Sequence, residues 1–201
     1  LILSTVILGW LGILIFLIII FTYQKMAKNN EYALIHILMA IMYAMWLPLP
    51  ITLFQLLNSD VLVVGTVFGF VYLLMLVSTM ALQTGHISFI VKHNDDHAIT
   101  DKHGDYMMAT LTNPYESLIG VFKSIWAIFL GITFWMSGEI LMAILMTLFG
   151  LLLIYYLFIM LDASLVKRVN LFSKVKPNPF VINLETLFFF VILTSYITVH
   201  V

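Results

Sequence analysis

The sequence predicts an all-α integral membrane protein, a bundle of about six transmembrane helices. Hydrophobic residues fill 63% of its 201 positions and charged residues only 9%. Mean hydropathy is +1.10, and the apolar residues fall into runs of about 20, the length that crosses about 30 Å of hydrocarbon. A soluble domain carries roughly a quarter of its residues charged, so composition alone sets this chain apart. β-Barrel strands are shorter and alternate polar with apolar. Runs such as LGILIFLIIIF do not alternate.

The first span covers about Leu1 to Tyr23, too long for a signal-peptide core. The second covers about Tyr32 to Leu57 and contains Trp46-Leu47-Pro48-Leu49-Pro50. Each proline removes an N–H donor and clashes with the preceding turn, so a kink or break is expected at Pro48 and Pro50. The third covers about Val61 to Gln83. Its Gly65 and Gly69 permit close helix approach, read as packing within the bundle with dimerisation as the alternative. The fourth covers about Leu118 to Met136, the fifth about Glu139 to Leu161 and the sixth about Phe180 to His200. Between the third and fourth lies a polar segment, about 84–117. Near its end Asn113, Pro114 and Glu116 make a good helix start. Residues 1–201 therefore read as one transmembrane domain with a polar cytoplasmic loop.

Net charge is -1, but placement is more informative. Of the nine basic residues, Lys25, Lys28, Lys92, Lys102, Lys167, Arg168, Lys174 and Lys176 fall in the first, third and fifth connections. Lys123 lies just inside span four. Asn58-Ser59-Asp60 and Ser137-Gly138-Glu139 carry no base. The positive-inside rule then places both termini outside and the basic loops in the cytoplasm, as expected in a bacterial cytoplasmic membrane. The two halves have opposite orientation, as in inverted-repeat transporters, but they share no residue-level similarity.

The polar segment holds His86, His93 and His97, spaced to share one helical face if span three continues. Asp96 and His103 could join them around a divalent metal ion such as Zn²⁺. His93 and His97 have the His-x-x-x-His spacing of membrane di-iron enzymes, but those enzymes use several such boxes. A solvated loop rich in His and Asp accounts for the same residues.

Ionisable residues inside hydrocarbon are costly and point to function. Glu185 lies about five residues into span six, beside Asn183; His36 about four into span two; Lys123 about five into span four. All three helices start from the basic side, so at about 1.5 Å per residue these groups share one depth. Glu185 is the expected central group of an ion or substrate pathway, with His36 or Lys123 as partner; a plain structural ion pair with Lys123, or interfacial solvation with Lys174 or Lys176 in reach, accounts for it equally. Asn183 and the carbonyls freed at Pro48 and Pro50 are further candidates.

With no cysteine, thiolate metal sites and Cys nucleophiles are excluded. No phosphate-cradling glycine loop, Ser/His/Asp arrangement or nucleic-acid patch is present. The leading expectation is a small-solute or ion transporter, or the membrane subunit of one. An accessory or assembly subunit of a larger membrane complex is the alternative, and a metal-dependent membrane enzyme using the His/Asp loop ranks last. The expected partners are the bilayer and other membrane subunits or further copies of the chain; no nucleic acid is expected.

Overall fold

A computed structural model describes residues 1–92, 102, 104, 106, 110, 113–167 and 169–200. Its helices are α1 (Ile2–Lys28), α2 (Tyr32–Trp46), α3 (Leu49–Leu57), α4 (Leu62–Lys92), α5 (Asn113–Met136), α6 (Ile140–Ser164) and α7 (Pro179–Val199). Counting α2 and α3 as one interrupted span, six are long and apolar enough to cross a membrane. There is no strand among the described residues. The chain is a multi-pass α-helical membrane protein.

Helices outlast the apolar runs that announce them. α1 continues to Lys28 and α4 to Lys92, while α5 opens at Asn113, before the apolar run itself. Hydropathy marks where hydrocarbon ends, whereas the i→i−4 ladder continues wherever side chains allow it. The first residues of the polar segment, His86 among them, therefore belong to α4. α7 starts on a cap that hydropathy does not reveal. Asn178 Oδ1 accepts from the Phe180 and Val181 amides at 3.1 and 3.3 Å, and Pro179 supplies the fixed φ of a first helical residue.

The ladder breaks between α2 and α3, at Leu47 and Pro48, as the prolines require. The backbone there stays near helical angles, with Leu47 at φ −53 and Pro48 at φ −72, so the span bends without unwinding. α1 braces the bend. Trp46 Nε1 donates to the Gly9 carbonyl at 3.1 Å, and the hydroxyls of Thr5 and Thr52 lie 2.8 Å apart. The two short connections are equally well specified. Asn58 takes the left-handed conformation at φ 43 and Gly138 sits at φ 81, which closes two tight hairpins.

The helices form a ring in which α7 packs on α1, α1 on α2, α2 on α4, α4 on α5 and α5 on α6. Between α6 and α7 the ring closes through side chains, as where Phe149 meets Phe189. Aromatic rings fill its centre. Trp46 stacks on Phe190 at 3.8 Å, Phe190 is parallel to Tyr72, and Trp126 meets Phe189 edge-on. Lipid tails are as apolar as leucine, so close packing and hydrogen bonds must hold such a bundle. Gly65 and Gly69 serve that packing. A methyl on them would lie 2.5 Å from Phe129 Cβ and 2.4 Å from Trp126 Cδ2, which makes their motif the seam between α4 and α5. Leu3, Phe21, Leu148 and Leu151 face outward, exposed, as lipid contact requires.

Candidate functional site

The site begins on α5, where Glu116, Gly120 and Lys123 stand at i, i+4 and i+7 on one face. A lysine in the middle of a membrane helix needs a partner, and Lys123 finds it on α7. Its Nζ donates to Glu185 Oε2, with side-chain exposures of 3% for the lysine and 11% for the glutamate. The other two N–H bonds have the Thr186 hydroxyl at 3.2 Å and the Tyr156 hydroxyl at 3.5 Å as acceptors. Tyr156 O–H is also 3.4 Å from Glu185 Oε2, so α5, α6 and α7 meet at one buried polar knot. The rings of Tyr156 and Tyr72 flank the ammonium at 5.5 and 6.0 Å.

Glycine makes room for this arrangement. A methyl on Gly120 would lie 2.3 Å from Tyr156 Cδ1, so any side chain there would displace the tyrosine. Glu185 Oε1 is buried without a hydrogen-bond partner. One oxygen of the carboxylate is thus held by the lysine, and the other has no donor among the described residues.

Lys123 closes the inner end of a cavity. An inner part of about 90 Å³ is walled by Tyr43, Tyr72, Tyr156, Glu116, Asn183 and Thr186, among others. An outer part of about 480 Å³ adds Tyr23, His36, Gln83 and Ser117. Six residues line both parts, including Glu116, Tyr156 and Asn183, so the two adjoin. The outer part lies among the end of α1 and the starts of α2, α5 and α7, at the end of the bundle that carries the basic connections. The aromatic centre fills the bundle beyond.

Lys123, His36 and Asn183 line this cavity, and Glu185 stands behind Lys123, which it bonds, while His36 bonds elsewhere. The His36 ring is near the mouth, its Nδ1 2.7 Å from the Tyr32 carbonyl. Pro48 and Pro50 are set apart. They shape the bend against α1 and do not line the cavity. His86 is exposed on α4, and His93, His97, His103 and Asp96 lie outside the described residues. Among the described residues no group of three or more His, Asp and Glu is placed to hold a metal ion.

Sequence reasoning missed Glu116, Tyr43, Tyr72, Tyr156 and Thr186. Glu116 read as part of a helix start, although its seven-residue spacing from Lys123 already put both on one face. The tyrosines carried no signal, because a tyrosine within an apolar run looks like any packed aromatic.

Fold and site together define a polytopic α-helical membrane protein with a buried ion pair beside a cavity. No family model, curated protein or solved structure matches the chain.

Proposed function

We propose that the protein is a small-solute or ion transporter, with Lys123 and Glu185 as the groups that change charge or partner during its cycle. One observation carries this reading: a lysine–glutamate pair buried in the bundle, beside a cavity at the end that carries the basic connections. A purely structural bundle gains little from such a pair, because desolvating two charges costs several kcal/mol per ion, about what their attraction returns. A carrier needs groups of this kind where a solute arrives, and it needs the far side shut while the near side is open. The stacked Trp46, Phe190 and Tyr72 serve as the closed side. By the positive-inside rule the open end faces the cytoplasm.

Glu185 Oε1, buried and undonated, is the position that would take up a proton when Lys123 turns to a ligand. The test uses purified protein in liposomes loaded with a pH-sensitive dye, challenged in turn with small cations, anions and zwitterions. At least one class should move the internal pH beyond protein-free liposomes. Glu185→Gln, which retains a carbonyl oxygen to accept from Lys123, should lose that response while remaining folded. A folded wild-type protein that moves no class, or full flux in Glu185→Gln, would remove the proposal.

A further inference from the structure

The cavity's charges do not balance. Lys123 contributes +1, and Glu185 and Glu116, when ionised, contribute −1 each, for a sum of −1. Lys123 is committed to Glu185, so among the described residues lining the cavity Glu116 has no ammonium paired to it. Gln83 hydrogen-bonds Glu116, but a neutral amide leaves the charge in place. A half-buried carboxylate with Met39, Met80 and Ile182 beside it is stabilised by taking up a proton or a cation.

The walls decide which cation. Glu116 lies where the inner and outer parts meet, and Tyr156, Met39, Met80 and Ile182 line both parts with it. Aromatic faces and polarisable thioethers beside a carboxylate suit an organic ammonium. A hard metal ion wants about six oxygen ligands, with carboxylates prominent among them; Asn183, Gln83 and Ser117 add neutral oxygens here, but among the described residues no group of three or more His, Asp and Glu gathers to hold one. An anion would meet Glu116 first and find Lys123 already paired.

We infer that the cavity binds a small organic monocation at Glu116, in competition with a proton. Binding stands on the cavity alone; coupling it to proton counter-flow across the membrane rests on the transport reading above. The titratable groups facing Glu116 are Tyr23 from α1, His36 and Tyr43 from α2, Tyr72 from α4 and Tyr156 from α6, with Lys123 on its own helix and Glu185 behind that lysine. His36 also lines the outer part and can carry a proton, so it needs its own control.

The probe is choline, compared with its uncharged isostere in which carbon replaces the quaternary nitrogen. Calorimetry on purified protein, in two buffers of different ionisation enthalpy, reads affinity and protons released together. Choline should bind roughly tenfold or more tightly than the isostere, since the charge supplies the ion-pair and cation–π energy. Binding should release protons and weaken as pH falls. Glu116→Gln should lose both the affinity and the release, and His36→Ala should keep both. Equal binding of choline and isostere, no choline binding, or release that vanishes only in His36→Ala would overturn the assignment. Should Glu116→Gln fail to fold, the two ligands on wild-type protein still decide. Choline binding with no proton flux driven by any class in liposomes would keep the ligand and sink the transport reading; flux of another class without choline binding would do the reverse.

Discussion

The Lys123 ammonium and the Glu185 carboxylate, 62 residues apart in the chain, meet between α5 and α7 with almost no solvent access. Each charge makes the other tolerable. Lys123→Met or Glu185→Leu alone should therefore cost about 3–5 kcal/mol, the usual result of leaving one charge of a buried pair uncompensated. The double variant should be more stable than either single one, because no charge is then stranded. Denaturant unfolding in mixed micelles gives the three values. Additive losses would mean that the two groups do not act as a pair.

Tyr156 reaches this pair only because residue 120 has no side chain. Gly120→Ala should push the tyrosine away and cost about 1–3 kcal/mol, as overpacking does. Gly85, also helical but with nothing within 4 Å of where a methyl would stand, is the control. Gly85→Ala should be neutral or stabilise by roughly 0.5–1 kcal/mol. Unfolding midpoints of the two variants test the contrast, which fails if they move alike.

Trp46 joins the proline bend to the centre of the bundle. It is fully buried, stacks on Phe190 and donates to the Gly9 carbonyl. Trp46→Ala should cost about 3–5 kcal/mol. Trp46→Phe keeps a ring but loses that hydrogen bond, at about 0.5–1.5 kcal/mol, because the Gly9 carbonyl keeps its place in the α1 ladder. A Phe variant as damaged as Ala would assign the energy to the hydrogen bond instead of the ring.

Charge placement predicts the orientation, which is tested without removing any native residue, since the chain has no cysteine. Single cysteines at Ser59 and Ser137 should react with an impermeant thiol reagent added outside intact cells. One at Asn170 should react only after the membrane is opened. The reverse pattern would invert the topology and point the cavity outward.

Several features are legible in the chain alone. Transmembrane spans follow from hydrocarbon thickness, and the prolines place the bend because a missing N–H and a ring clash are local facts. Gly65 and Gly69 are readable as a packing seam for the same reason. Glu185, Lys123, His36 and Asn183 stand out because ionisable and strongly polar groups are expensive in hydrocarbon wherever they occur. Matching their depths along separate helices even brings them near one level.

Rotation is not legible there. Depth along a helix comes from counting residues, but the direction a side chain faces depends on which neighbour it packs against. In spans that are apolar nearly all round, no polar stripe reveals that direction. Only the ring of helices decided that Glu185 turns to Lys123 and leaves His36 at the mouth. Only the fit of Tyr156 against Gly120 decided that a tyrosine joins the pair. Glu116 changed most. In the chain it is one residue of a helix start, and its charge became unbalanced only when folding gave Lys123 to Glu185.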